Sequence, residues 1–368
     1  MTSDVFFINT RVNDFENTQS KIRRIFEKAH LEACISPGDL CAIKLHMGER
    51  GNDAYIRPQY ARQVVDAVRD AQGKPFLTDT NTLYVYKRRN AVDHHETALL
   101  NGFSFATVNA PVIIADGLNG ENERDVLINQ KHFTSVHIAG TFTEVQSMIA
   151  LSHVKGHTLA GFGGALKNLA MGCATVAGKK DQHQGWKAVV DTDSCIGCGV
   201  CVDLCPFSVI FIDNGCAHIP DGTCYGCGAC LDMCEQKALD FDWINDFKPF
   251  VERMIEYAYG AVVGLPEKVG YINLLMNVSP LCDCANFSNP AIVPDIGILA
   301  SRDPVAIDQA SIDLINQQHG IHDSLLHSHF EPGQDKFTGL WDKVDGRYQL
   351  EYAEKIGMGT RSYNLITL

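Results

Sequence analysis

Two cysteine runs with one shared spacing lie in the middle of this 368-residue chain. The first reads Cys195-x2-Cys198-x2-Cys201-x3-Cys205, and the second reads Cys224-x2-Cys227-x2-Cys230-x3-Cys234. In such runs three thiolates bind one 4Fe-4S cube and the fourth binds the other cube, whereas zinc prefers paired Cys-x2-Cys units with tetrahedral closure. We therefore predict two 4Fe-4S clusters, one held by Cys195, Cys198, Cys201 and Cys234, the other by Cys224, Cys227, Cys230 and Cys205.

Charged and polar side chains also follow two apolar segments in the first quarter of the chain. Lys44 and His46 end a predicted strand over 40–45, and Asp79 follows another that begins at residue 76. Because ligands in open α/β sheets bind at the carboxyl ends of strands, these side chains predict a site at one sheet edge. Each of them alone also fits an ordinary capping or turn role.

A segment rich in glycine, histidine and lysine precedes the cysteine runs. If residues 151–157 are extended, alternate side chains lie on one face, and the glycine turn after them offers free backbone N–H groups to an anion. The alternative is that the glycines permit a tight crossover and the histidines are packed. The predicted catalytic residues are His46, Asp79, His153, Lys155 and His157, and the residues predicted to bind an anionic cofactor or ligand are Gly161, Gly163, Gly164, Lys167 and Asn168.

A third cysteine motif, Cys282-Asp283-Cys284, follows a predicted strand over 270–277. Two thiolates beside a carboxylate suit a soft metal ion, so Cys282 and Cys284 form a candidate third metal site. The alternative is a pair of buried structural thiols. The donors available to complete a metal site are Cys173 and one of His153, His157 or His183.

Strand and helix signals alternate on both sides of the cysteine runs. This alternation predicts an α/β fold with a mostly parallel sheet. We interpret residues 1–187 and 244–368 as one α/β domain, interrupted at 188–243 by an inserted α+β module that carries the clusters. Three domains in series are the alternative, although the part after residue 248 has few strands.

Charge and cysteine content narrow the class of protein. With 31 Lys and Arg against 44 Asp and Glu, the net charge is −13, which argues against nucleic-acid binding and docking on anionic membranes. No apolar run is long enough for membrane insertion, and the N-terminus lacks the basic region of a signal peptide. Fourteen cysteines without a secretion signal predict a cytoplasmic protein with metal chemistry. The sequence leaves the oligomeric state open.

Residues 188–243 resemble a bacterial two-cluster ferredoxin, with Glu235 where that pattern usually has proline. Nearly the whole chain resembles the ferredoxin-containing form of the family called domain of unknown function 362. That resemblance implies an α/β domain with two 4Fe-4S clusters and no agreed reaction. A more distant, fold-level resemblance is to nickel-dependent lactate racemase. The motifs that carry the family resemblance are Lys44-x-His46-x-Gly48-Glu49, Thr78–Thr82, Ser152–His157 with Gly161–Asn168, Cys282-Asp-Cys284, and Pro294–Gly297 with Asp303–Asp308.

Together these features predict an iron–sulfur oxidoreductase whose clusters exchange single electrons with a site in the α/β domain. Its partners are predicted to be a redox protein and a small anionic substrate. One alternative is a non-enzymatic, ferredoxin-like electron carrier. Another is a metal-delivery or maturation factor that uses an additional metal ion at Cys173, Cys282 and Cys284.

Overall fold

The computed structural model describes residues 2–84, 86–241 and 243–368, without the side chains of residues 232 and 244–246. Residue 242, beside the predicted domain boundary at 243, lies outside the described residues. The strands are β1 (Ser3–Asn9), β2 (Leu40–Lys44), β3 (Lys74–Asp79), β4 (Val112–Ile114), β5 (Glu123–Leu127), β6 (Ser135–Ala139), β7 (Ser147–His153), β8 (Lys155–His157), β9 (Gly161–Gly163), β10 (Ala188–Val190), β11 (Phe211–Asp213), β12 (Cys216–His218), β13 (Leu239–Phe241), β14 (Val269–Leu275), β15 (Gly297–Ser301) and β16 (Tyr363–Thr367). The helices are α1 (Thr18–Lys28), α2 (Pro58–Asp70), α3 (Ala91–Leu100), α4 (Phe105–Val108), α5 (Gly140–Glu144), α6 (Ala165–Cys173), α7 (Val176–Gln182), α8 (Val200–Leu204), α9 (Ala229–Asp232), α10 (Trp243–Val262), α11 (Pro304–Asn316), α12 (Lys336–Leu340) and α13 (Tyr348–Lys355), with a 3-10 turn at Leu31–Cys34.

Eight strands form one sheet in the order β16-β1-β15-β14-β7-β2-β3-β4. All neighbouring pairs are parallel except those of β15, which is antiparallel to both β1 and β14. The mostly parallel α/β fold is therefore confirmed. Because β14, β7, β2 and β3 run in one direction, their carboxyl ends meet at one edge, and the polar residues after them converge there.

Helices cover both faces of this sheet. Helices α6 and α11 pack on one face, with α10 against α6, while α1 and α2 pack on the other. In β14 the buried Tyr271 and Leu275 join the core of the first face, and Ile272 and Leu274 join that of the second. Burial on both faces explains the continuous apolar sequence of this strand. None of the described helices combines the length and apolar character needed to cross a bilayer.

Between α7 and α10 the chain leaves the large sheet. Strand β10 pairs with β13 and β11 with β12, both antiparallel, and α8 and α9 each follow a cysteine loop. The two halves repeat one backbone conformation, since φ is 64° at Gly197 and 59° at Gly226, and 82° at Gly199 and 79° at Gly228. Glycine adopts these positive angles without steric cost, which explains why the same two spacer positions are glycine in both runs.

An aromatic cluster joins the cysteine segment to the rest of the molecule. Trp186, just before β10, is fully buried. Its ring centroid lies 4.9 Å from that of Phe241, 5.0 Å from Phe250 and 5.2 Å from Trp243. The chain thus enters and leaves the segment beside one buried indole, and such ring pairs stabilise the junction beyond simple area burial.

The structure differs from what local sequence patterns predict at several elements. Apolar residues at helical spacing over 18–33 predict one helix, but α1 ends at Lys28, because His30 has a positive φ of 52° before the 3-10 turn. The apolar run over 135–139 predicts a strand, and that strand pairs with β5 outside the large sheet. The extended segment 151–157 is divided at Val154, where β7 ends and the β8–β9 hairpin begins.

Candidate redox cavity

A cavity of about 630 Å³ lies between the carboxyl edge of the large sheet and the second cysteine run. The α/β part supplies most of its charged side chains, and Cys227 with its neighbours supplies the opposite wall. Eight of the ten predicted catalytic and anion-binding residues line it: His46, Asp79, Lys155, His157, Gly163, Gly164, Lys167 and Asn168. His153 and Gly161 are not among the lining residues.

Asp79, at the end of β3, is buried between cations. Lys44 Nζ lies 3.0 Å from Asp79 Oδ1, and Arg88 Nη1 lies 3.6 Å from Oδ2. Arg88 Nε also donates to Glu49 Oε2 at 3.0 Å. Burial raises the pKa of Asp79, but the neighbouring cations, Lys44 first and Arg88 with it, outweigh that effect and hold the pKa below its usual range. Asp79 therefore neutralises neighbouring cations and does not carry a proton at neutral pH.

His153 and Lys155 meet at Asp283 instead of sharing one strand face. His153 Nδ1 lies 2.8 Å from Asp283 Oδ1, and Lys155 Nζ lies 3.1 Å from Oδ2. Because the chain leaves the sheet at Val154, Lys155 lines the cavity, whereas His153 Nε2 lies 2.9 Å from the Asn277 carbonyl behind it. This corrects the expected shared face, and His153 serves to position Asp283.

The two histidines that line the cavity near the strand ends hold neutral rings. His46 Nδ1 accepts the Gly48 N–H at 3.0 Å, and His157 Nδ1 accepts the Ala160 N–H at 3.1 Å. The ring proton is therefore on Nε2 in each case. Burial lowers the pKa of both histidines well below the usual range, and neighbouring cations add to the effect. Both can donate a hydrogen bond from Nε2 as neutral rings.

The glycine-rich turn leads into α6, whose first N–H groups already have an acceptor. The buried Asp308 carboxylate accepts from Ala165 N–H at 2.7 Å and from Leu166 N–H at 3.0 Å. A Cβ on Gly164 would lie 2.4 Å from Asp308 Oδ1, so glycine permits this close approach. Burial raises the pKa of Asp308 to about 6, although its N–H donors oppose the shift. The anion expected on these N–H groups is thus the chain's own carboxylate.

Asn168 and Gly161, both predicted to bind an anion, serve the fold. The Asn168 side-chain oxygen accepts from Lys44 Nζ at 2.8 Å, and its nitrogen donates to the Leu151 carbonyl at 3.2 Å. Gly161 has a φ of 76°, and a Cβ there would lie 2.7 Å from the Gly346 Cα. Among the predicted anion-binding residues, Lys167 is therefore the one that can offer a positive charge to an anionic ligand.

Two cations of the cavity, Lys167 and Lys179, have no carboxylate within ion-pair distance in the described part of the chain. Lys167 Nζ lies 3.8 Å from Cys282 Sγ, and the residue is 9% exposed. Lys179 Nζ donates to Thr80 Oγ1 and to the Ala174 carbonyl, both at 2.6 Å. Burial lowers the pKa of Lys179 to about 8. An anion in the cavity would therefore be attracted by these two lysines, which have no carboxylate partner in the described part of the chain.

Cys282 and Cys284 line the same cavity, and Lys167 Nζ lies 3.8 Å from Cys282 Sγ. The neighbouring Cys284 thiol lowers the pKa of Cys282 well below its usual value, and Lys167 lowers it further. Cys173 is buried but is not a lining residue. Within the described ranges, no three His, Cys, Asp or Glu side chains are arranged to hold one metal ion. The third metal site stays a prediction without geometric support.

The structure gathers the four cysteines predicted to bind the first cluster around one small space. Cys195, Cys198, Cys201 and Cys234 all line a separate cavity of about 20 Å³ with apolar walls. The assignment of Cys224, Cys227, Cys230 and Cys205 to the second cluster stays a prediction.

Backbone N–H groups point at the first sulfur of each run. Gly197 N–H donates to Cys195, and Gly226 N–H donates to Cys224 Sγ at 3.4 Å. Ala217 N–H also donates to Cys195 Sγ, at 3.3 Å. Iron–sulfur clusters are tuned by such hydrogen bonds to sulfur and by apolar surroundings, so the residues present fit this cofactor.

Three residues of this site were missed by sequence reasoning: Arg88, Lys179 and Asp308. No spacing marks Arg88 or Lys179, whose burial depends on partners far away in sequence. Asp308 did carry a signal, because it lies on the apolar face of α11, one turn before Ile312. A charged side chain on such a face needs a buried partner.

The fold and the cavity define an α/β protein with an inserted, cysteine-rich segment that faces a buried polar site. The family described as "Domain of unknown function (DUF362)" matches residues 41–313. The chain belongs to this family.

The inserted segment is similar to bacterial ferredoxins. It is 55% identical over 31 residues to Ferredoxin-2 of Desulfomicrobium norvegicum, and 52% identical over 31 residues to Ferredoxin-1 of Nitratidesulfovibrio vulgaris. It is 48% identical over 33 residues to a ferredoxin of Moorella thermoacetica. Each match covers 8% or 9% of this chain, and the chain spans 50% to 52% of the ferredoxins' own length. These matches support a ferredoxin-like iron–sulfur segment.

Two solved structures align with large parts of the chain. The lactate racemase apoprotein from Thermoanaerobacterium thermosaccharolyticum aligns with a TM-score of 0.37 and 11% identity, over 74% of this chain and 50% of that chain. A protein from Thermotoga maritima aligns with a TM-score of 0.36 and 10% identity, over 72% of this chain and 52% of that chain.

Proposed function

We propose that this protein is a cytoplasmic iron–sulfur oxidoreductase that acts on a small anionic molecule in the cavity. Two 4Fe-4S clusters, held by the crossed cysteine sets, pass single electrons to or from that molecule. One observation carries the proposal: Cys227 of the second run and the unpaired lysines of the α/β part line the same cavity. A predicted cluster ligand and lysines that can bind an anion therefore line the same cavity.

The charge of the cavity supports an anionic ligand. The chain as a whole is acidic, with a net charge of −13, yet the cavity collects buried cations. Asp79 and Asp283 offset Lys44 and Lys155, respectively. In the described part of the chain no carboxylate lies within ion-pair distance of Lys167 or Lys179, and Coulomb attraction is stronger in such a buried site than in water. A carboxylate or phosphate has the matching charge.

The polar groups around these lysines support orientation of the ligand. His46 and His157 each carry a ring proton on Nε2, which suits hydrogen bonding to an oxygen of an anion. Neither the carrier nor the metal-delivery alternative requires such a buried cationic cavity beside the second run. We therefore favour the enzyme.

The proposal is tested with protein purified without oxygen. Iron and sulfide analysis should give about eight iron atoms per chain, since each cube holds four. After photochemical reduction, the clusters are mixed with a panel of carboxylates and organic phosphates, and visible absorption follows their re-oxidation. We expect one class of anion to re-oxidise the clusters rapidly.

Lys167→Ala should weaken the response to that anion by about 10- to 100-fold, because a charge-assisted contact is lost. Lys28→Ala, at an exposed position of α1, is the matched control and should behave as the unmodified protein. If no anion accelerates re-oxidation, or if Lys167→Ala responds as the control does, the electron-carrier alternative is favoured.

A further inference from the structure

We propose that Cys282 and Cys284 are a redox-active dithiol that closes to a reversible disulfide and exchanges two electrons with the clusters. The inference rests on the proposed function, because the clusters supply or accept those electrons. It assigns a role to two cavity thiols that a third metal site does not explain. Both line the cavity, on the α/β side, and Cys227 lines it from the cluster side.

The loop geometry brings the two sulfurs together. Only Asp283 separates the two cysteines in sequence, and both of them line one cavity. The Ala285 N–H donates to the Cys282 carbonyl at 3.0 Å, which curls the loop after Cys282. Residues two apart span at most about 7 Å between Cα atoms even when extended. A curled loop brings that distance into the range of about 4.4–6.8 Å that disulfides need.

The residue between the thiols anchors the loop and leaves the sulfurs free to react. The Asp283 carboxylate is fully buried and binds His153 and Lys155. The Glu49 N–H donates to the Asp283 carbonyl at 3.0 Å. The loop is therefore held at its centre, between the two cysteines.

The surroundings of the sulfurs suit thiol chemistry. Lys167 Nζ lies 3.8 Å from Cys282 Sγ, where a cation stabilises the thiolate that reacts. Tyr84 lines the same cavity as Cys284, and its hydroxyl accepts from Arg88 Nη2 at 3.0 Å. A cation thus lies beside Cys282, and polar groups line the cavity with both thiols.

The electrons and protons balance with the groups already present. When the disulfide forms, each thiol loses one electron and one proton, and the two sulfurs join. The two electrons reduce the two cubes by one electron each, and the two protons pass to solvent. The reverse step consumes one electron from each reduced cube. The dithiol thereby converts single-electron transfer into a two-electron step at the anion site.

The test is an anaerobic reductive titration of the intact protein, with Cys282→Ala/Cys284→Ala as the variant. The control is Cys34→Ala/Cys41→Ala, two buried thiols in the core on the other face of the sheet. At equal iron content, the oxidised wild-type protein and the control should each take up one more pair of electrons than the variant.

Samples from the titration are quenched in acid, denatured, labelled with N-ethylmaleimide and digested for mass spectrometry. The Cys282–Cys284 peptide should be unlabelled in the oxidised sample and carry two labels in the reduced sample. Labels on both thiols in every sample, or equal electron uptake by wild type and variant with intact clusters, overturn the dithiol and leave the proposed function standing. A metal ion lost only in the variant also overturns it, in favour of a third metal site. Absence of clusters from the wild-type protein overturns the proposed function itself.

Discussion

The two cysteine runs have the same spacing and the same glycine conformations, but they face different surroundings. Around the first run, Cys198 is exposed, and its neighbours Ile196 and Val200 are 65% and 41% exposed. In the second run, Cys227 and Gly228 form a wall of the internal cavity. Ligand chemistry alone does not distinguish the two clusters, whereas their surroundings do.

This difference leads us to expect separate roles for the two clusters. A cluster beside exposed apolar side chains is placed to exchange electrons with another protein. A cluster beside a cationic cavity is placed to exchange electrons with a bound anion. We therefore expect the first cluster to serve the partner and the second to serve the substrate, although both are built from one repeated motif.

The largest expected effect comes from removing one ligand from each run in turn. Cys227→Ala should abolish re-oxidation by the anion, because the cluster beside the cavity loses a ligand. Cys198→Ala should keep that reaction when a small-molecule reductant is used, but lose reduction by a protein donor. Iron content should fall to about four atoms per chain in both variants. If both variants lose the same activities, the two clusters do not have separate roles.

The second prediction compares a buried ion pair of the α/β part with an exposed ion pair of the cysteine segment. Asp283→Asn leaves Lys155 buried without its partner, and breaking such a pair costs about 3–5 kcal/mol in the free energy of unfolding. Asp221→Asn, which removes the exposed pair with Lys187 in the cysteine segment, should leave stability unchanged. Urea unfolding followed by circular dichroism measures both. An equal loss in the two variants would show that the Asp283 pair is no more buried in solution than the surface pair.

Sequence patterns predicted those parts of the fold that depend on local periodicity. The buried apolar runs at β2 and β3 follow one another with α2 between them, so their parallel pairing and shared carboxyl edge were predictable. Strand β16 was not predicted, because it is half-exposed and lacks alternation, and it pairs with β1 at the opposite end of the chain. Pairing between two strands so far apart in the chain leaves no pattern in the local sequence of either strand.

The same distinction applies to the site. Some of its residues are predictable from local sequence, and others depend on contacts between residues that are distant in sequence. The cysteine spacing is local, and all four cysteines of the first set predicted from it line one small cavity. The buried state of Arg88 depends on Glu49 and Asp79, which no periodicity connects to it. Asp308 occupies the helix N-terminus that we expected to be free, because the packing of α11 on α6 brings its carboxylate there. Residue type alone does not specify which anion fills such a site.

The smallest expected effect is the change of anion affinity with pH. Because the pKa of Lys179 is lowered to about 8, this lysine loses its charge between about pH 7 and pH 9, and anion affinity should fall as pH rises through that range. Sulfate is a suitable probe, since its own charge is constant there. Loss of one buried positive charge near the anion should weaken binding by about three- to tenfold.

Calorimetric titration with sulfate across this pH range separates Lys179 from the other groups of the cavity. His46 and His157 are already neutral, because burial lowers their pKa well below the window. Lys179→Met should bind sulfate more weakly at pH 7 and show no further decrease up to pH 9, while Lys28→Met should reproduce the unmodified profile. A flat profile in the unmodified protein would mean that Lys179 stays protonated, and that the cavity keeps its full positive charge beside the second cluster.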